Sequence, residues 1–170
     1  MPIYVDAAAT PPSSMRACAA ETRLHALDFW LGDWEVFAGS EQAGTNRITA
    51  ILHGCAIEER WRDMQGGEGR SLFYFDRGGG RWKQVWVSEM GLAIGGTKEK
   101  TEQLELTTPT QVRFQGSYPG REGLTVLDRT TLTRNADRSV RQLIEISLDD
   151  GATWRTTFDA TYRRKHTGAQ

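Results

Sequence analysis

Four polar side chains stand on otherwise apolar faces of this chain: Glu59, Ser71, Gln84 and Gln142. The segments that carry them alternate. Over 56–62, Ile57, Glu59 and Trp61 fall on one face, and Glu58, Arg60 and Arg62 on the other. Over 70–76, Ser71 shares a face with Phe73 and Phe75; over 81–88, Gln84 lies between Trp82 and Trp86, although Val85 and Val87 make the other face apolar too. Over 139–147, Gln142 keeps company with Val140, Ile144 and Ile146. Successive side chains of a strand point to opposite faces, so each set points one way.

A polar group in a dry core is costly unless it is hydrogen-bonded. Four of them imply a cavity with aromatic walls and fixed polar contacts, the usual constitution of a small-molecule site. An inert buried network of these side chains with ordered water satisfies the same pattern. On the first reading, Trp61, Phe73 and Trp86 supply apolar contact to a ligand, and Glu59, Ser71, Gln84 and Gln142 orient it. Glu59 carries the most chemistry. Among rings its pKa rises with desolvation, which suits a general acid or base for isomerisation, cyclisation or hydration. Its structural alternative is an ion pair with an inward arginine such as Arg129.

Other chemistry finds little support. No G-x-S-x-G, P-loop, G-x-G-x-x-G or H-E-x-x-H is present. The three histidines, His25, His53 and His166, are scattered, and the ordinary reading is of surface or strand-end side chains. The two cysteines, Cys18 and Cys55, form no C-x-x-C pair, so a zinc site of the usual spacing is excluded. They are either two unrelated buried thiols or a disulfide closing a loop of about 37 residues, which loop entropy values at about 4 kcal/mol. No metal and no cofactor is expected.

These residues need strands to position them. Apart from one short helix over Glu21–Trp30, stopped by Gly32, β-branched and aromatic segments recur near 33–39, 45–53, 56–62, 70–76, 81–88, 92–98, 102–107, 111–117, 124–133, 139–147 and 153–163. Turn chemistry separates them, as at Gly39-Ser40, Gly66-Gly67, Gly78-Gly79-Gly80, Pro119-Gly120 and Asp150-Gly151. Counting 45–53 and 56–62 as one strand bent at Gly54 gives about ten strands, an antiparallel sandwich or barrel. The domain plan is a flexible arm over 1–20, one all-β domain over 21–165 and a tail over 166–170.

Composition narrows the partners. The chain has 170 residues, 38% hydrophobic and 25% charged, enough for one domain with a real core. The net charge of −1 argues against a dedicated nucleic-acid binder. No run approaches the ~18 apolar residues of a spanning helix, so no membrane span is expected. The 17 Arg against 4 Lys suit carboxylate or phosphate recognition, or serve as ordinary surface charge. Met1–Ala20 lacks the basic start and apolar stretch of a signal peptide. Read as written, the chain is cytoplasmic; a Cys18–Cys55 bond places it in the periplasm or outside the cell. A homodimer is compatible with all of this.

The stretches Phe29-Trp30-Leu31-Gly32-Asp33-Trp34, His53-Gly54-Cys55-Ala56-Ile57-Glu58-Glu59-Arg60-Trp61 and Trp82-Lys83-Gln84-Val85-Trp86-Val87 together resemble a bacterial family of lipocalin-like proteins of unknown function. The resemblance covers roughly Phe29–Arg164 and implies a calycin-type β-barrel with a short helix plugging one end. It also implies that Trp34, in the Gly-x-Trp opening, packs against Arg163 or Arg164. Relatives in such a family often carry a cysteine just ahead of the Phe-Trp motif, a place Cys18 fits. Ser147-Leu148-Asp149-Asp150-Gly151-Ala152-Thr153-Trp154 resembles the Asp-box of sialidases and related propellers; a single copy implies a stabilised hairpin turn and is no ground for a glycosidase activity.

These readings combine into an all-β calycin-like barrel binding a small apolar or amphipathic molecule. The alternatives are an enzyme using Glu59 in the same cavity, and a structural domain with a filled core.

Overall fold

The computed structural model describes Cys18 and residues 21–89, 98–120 and 123–165. Ten antiparallel strands run in sequence: β1 (Gly32–Ala38), β2 (Glu41–Ile51), β3 (Ala56–Asp63), β4 (Glu68–Asp76), β5 (Arg81–Ser88), β6 (Lys98–Glu102), β7 (Gln111–Pro119), β8 (Thr125–Arg134), β9 (Val140–Ser147) and β10 (Arg155–Arg164). Each pairs with its neighbours in sequence, and β1 pairs with β10 to close a barrel. Closure leaves no unpaired sheet edge. Among the described residues, no helix is long and apolar enough to cross a membrane.

Two strand expectations are corrected. Gly54 does not bend one long strand: a 3-10 turn at Leu52–Gly54 reverses the chain between β2 and β3, with φ of 51, 56 and 87° at Leu52, His53 and Gly54. Three residues in the left-handed region fold the backbone back. The strand expected over 102–107 is a 3-10 turn at Leu104–Leu106, closed by Leu106 N–H donating to Gln103 O. The Leu-Glu-Leu alternation there looks like a strand but makes no ladder. Most of the segment expected over 92–98 lies outside the described residues, as do the tail at 166–170 and all of the N-terminal arm except Cys18.

The expected helix is two 3-10 turns, Thr22–His25 and Asp28–Trp30. Leu24, Leu27 and Trp30 are spaced by three, the 3-10 period, and all three are buried. They cap one end of the barrel over Trp34, Ile48, Ile57, Phe73, Trp82 and Leu132, which form one apolar cluster with them. Trp30 meets Phe73 and Tyr162 edge to face at 5.4 and 6.0 Å. Trp34 Nε1 donates to Trp30 O at 2.8 Å.

The Arg164 guanidinium lies 4.5 Å from the Trp34 ring centre, so Arg164 covers Trp34, while Arg163 lies over Phe37. Gly32 makes room for it. Its φ is +136°, and a Cβ there would stand 2.5 Å from Arg164 Nη1. Cys18 and Cys55 are joined in a disulfide, which ties the N-terminal segment to the β2–β3 turn at this capped end.

The Ser147–Trp154 motif is the β9–β10 turn. Asp149 accepts from Ser147 Oγ, Thr153 N–H and Thr153 Oγ1 at 2.7, 2.8 and 2.6 Å. These bonds hold its carboxyl down at about 2. Trp154 closes the turn by donating to Gly151 O.

Candidate functional site

The inward positions of β2–β10 stack in layers. Next to the apolar cap comes a polar layer: Asn46 from β2, Glu59 from β3, Ser71 from β4, Gln84 from β5, Lys100 from β6, Thr130 from β8, Gln142 from β9 and Tyr162 from β10. All are buried. The pleat delivers each of them because the flanking inward residues on its strand, such as Ile57 beside Glu59 and Phe73 beside Ser71, are buried in the cap.

Hydrogen bonds run through this layer in a defined direction. Tyr162 Oη donates to Gln142 Oε1 at 2.6 Å and accepts from Asn46 Nδ2 at 3.2 Å. Asn46 Nδ2 also donates to Glu59 Oε1 at 2.7 Å. Gln84 Nε2 donates to Ser71 Oγ at 3.0 Å, and Ser71 is the cross-strand partner of Glu59. A second group stands opposite. Lys100 Nζ bonds Asp128 Oδ1 and, at 2.7 Å, Thr130 Oγ1; Lys98 Nζ reaches Asp128 Oδ2 at 2.8 Å.

Above the polar layer lies a cavity of about 220 Å³. Its polar floor is Glu59, Gln84, Gln142 and Tyr162 with the Lys98–Lys100–Asp128–Thr130 group, and its apolar wall is Trp61, Trp86, Ile144 and Phe158. Two glycines let the indoles lie back against the wall. A Cβ on Gly69 would overlap the Trp86 ring, and one on Gly44 would meet Trp61 Cη2 at 2.6 Å and collide with the Arg62 carbonyl.

Burial sets the electrostatics. Desolvation raises the Glu59 pKa above 4.5, against the opposing pull of its polar neighbours Ser71 and Asn46 and of the Lys100 charge. Desolvation also lowers the Lys100 pKa, opposed by Asp128. The Tyr162 hydroxyl is pushed well above 10 by burial, with a further rise from Glu59. Among the described residues, Glu59 Oε2 and Gln84 Oε1 are buried with no hydrogen-bond partner.

Of the residues singled out in the sequence, Glu59, Trp61, Gln84, Trp86 and Gln142 come together around the cavity. Ser71 does not line it but stands behind Gln84. Phe73 is corrected from wall to core: it is wedged between Trp30 and Phe114 under the cap, at 5.4 and 5.5 Å. Arg129 is not the partner of Glu59. It points outward, forks onto Glu145 at 2.7 and 3.1 Å and stacks over Trp154.

Sequence reasoning missed Asn46, Lys98, Lys100, Asp128, Thr130, Ile144, Phe158 and Tyr162. Asp128 and Thr130 had a readable signal, since they sit between Val126 and Leu132 at period two. Lys98, Lys100 and Glu102 had none: β6 turns only charged side chains inward.

Among the described residues, no cluster of His, Cys, Asp and Glu is placed to hold a metal ion. No protein-family model matches this chain, and no curated protein matches it.

Proposed function

We propose that this protein binds a small apolar or amphipathic molecule inside the barrel, in the manner of calycin-type carriers. The observation that carries the reading is the pair of buried, unpartnered acceptors, Glu59 Oε2 and Gln84 Oε1, at a cavity walled by Trp61, Trp86 and Phe158. Trp30 Nε1, Asn46 Oδ1 and Glu102 Oε1 also lack a partner among the described residues, but Glu59 and Gln84 are the two of these residues that line the cavity, where an arriving donor can relieve the cost of an unmet acceptor. A ligand that meets both acceptors accounts for them. The Cys18–Cys55 bond supports work in an oxidising compartment, periplasmic or extracellular.

A second reading is favoured by one observation, the raised pKa of Glu59 beside an open volume. It makes Glu59 a general acid or base on the bound molecule. Native mass spectrometry of freshly purified protein tests the binding reading. A retained small-molecule adduct that Trp61→Ala abolishes is the expected result. A protein that carries no adduct and whose tryptophan emission responds to no added small molecule has a filled or inert interior. Once a ligand is known, Glu59→Gln separates carrier from enzyme: it lowers turnover far more than it weakens binding only if Glu59 is catalytic, and an equal loss of both leaves Glu59 a binding group.

A further inference from the structure

We infer that the cavity takes an uncharged molecule of about the size of one substituted aromatic ring, bearing an O–H or N–H donor aimed at Glu59 and Gln84. This rests on the binding reading above and names the class of ligand.

The direction of the hydrogen-bond network leaves acceptors over. Gln84 Nε2 is committed to Ser71 Oγ, which turns Oε1 away without a donor. Asn46 Nδ2 holds Glu59 Oε1 and leaves Oε2 bare. Both residues line the cavity, so a donor arriving there meets a need the protein does not meet itself.

Charge argues for a neutral ligand. The cavity holds two ammonium and two carboxyl groups, and both lysines are already turned to Asp128. An anion would find both lysines committed to Asp128, and a cation would face only the Glu59 carboxyl, which burial biases toward its neutral form, so neither charge meets a ready counter-ion.

Volume sets the size. An apolar cavity of about 150 Å³ accommodates benzene. The about 220 Å³ here fits a ring with a short substituent. Trp61, Trp86 and Phe158 offer that ring its apolar surface.

A series on one frame tests this in the full chain: p-cresol, 4-methylanisole, toluene, p-toluate and 4-methylbenzylamine, titrated by calorimetry at neutral pH. p-Cresol is expected to bind about tenfold or more tighter than 4-methylanisole and toluene, the worth of one donor to a buried acceptor. Both ions are expected to bind more weakly than toluene. Gln84→Leu should shrink the advantage of p-cresol over toluene without weakening toluene. Glu59→Gln, which adds an amide donor, should narrow the gap between p-cresol and 4-methylanisole, and it serves if Gln84→Leu misfolds. Toluene binding as tightly as p-cresol, or either ion binding tightest, overturns the inference and leaves the binding reading standing. No binding by any probe overturns the binding reading, and the inference with it.

Discussion

Asn46 donates to Glu59 across the interior: its Nδ2 lies 2.7 Å from Glu59 Oε1 while the same nitrogen reaches the Tyr162 hydroxyl at 3.2 Å. One amide therefore couples the cavity carboxyl to the strand that closes the barrel. The pair is inaccessible to water-rich solvent, with Asn46 1% and Glu59 3% exposed, so no bulk water replaces a lost bond.

Asn46→Leu should therefore destabilise the fold by about 1–3 kcal/mol, the cost of leaving a buried acceptor without its donor. Urea denaturation at neutral pH measures it. Glu59→Gln retains a hydrogen-bonding group at that place and should cost less. A loss in Asn46→Leu no larger than in the exposed Arg47→Leu control would show that the bond carries no stability.

The pH dependence has a definite sign. Burial raises the Glu59 pKa above its unfolded value of 4.5, so between these two values the folded chain holds a proton that the unfolded chain has lost. The contribution is full below about 4.5 and is lost as pH rises through the folded pKa. Asp149 has the opposite sign. Its carboxyl at about 2 supplies stability above 3.8 that disappears as pH falls through about 2. The difference in melting temperature between wild type and Glu59→Gln isolates the first effect: wild type should lose ground to the variant as pH climbs from 4.5. Parallel curves would mean that Glu59 titrates alike in both states.

The two wall glycines should respond differently to a methyl group. At Gly44 the new Cβ meets the Arg62 backbone carbonyl, which cannot rotate away, so Gly44→Ala should lower stability by about 1–3 kcal/mol. At Gly69 the three atoms nearest the new Cβ all belong to the Trp86 ring, which can swing inward. Gly69→Ala should keep most of its stability, shift the tryptophan emission and fill part of the cavity. Thermal melts and fluorescence of both variants check the contrast, and equal destabilisation in the two would mean that Trp86 is as immobile as backbone.

Reduction of the Cys18–Cys55 bond should release the N-terminal segment from the β2–β3 turn and lower the melting temperature. Loop entropy puts the loss at up to about 4 kcal/mol. Intact mass with and without reductant should differ by two hydrogens. Two titratable thiols in the unreduced protein would remove both the bond and the argument for an oxidising compartment.

Much of the barrel was legible because a closed antiparallel sheet writes period-two burial onto every strand. Glu59, Gln84 and Gln142 were readable as polar intruders in apolar rows. Lys100 was not, since its neighbours Lys98 and Glu102 are charged as well and the strand looks like an exposed edge. Its inward aim depends on Asp128, some thirty residues on, and a pairing of that kind leaves no local trace. Phe73 was misplaced for another reason: alternation tells which face a ring takes but not its height along the barrel. Trp30 covers that height, and its own placement follows a spacing of three that a search for α-helical periodicity overlooks.

The seam between β1 and β10 is the one place where the ring joins distant parts of the chain; every other ladder links strands adjacent in sequence. Hairpins can therefore zip one after another at modest entropic expense, while the last join must bring Trp34 to Arg164 across most of the polypeptide. Folding should be slowest at that final juncture. Amide exchange along it should be the first to report the barrel springing open.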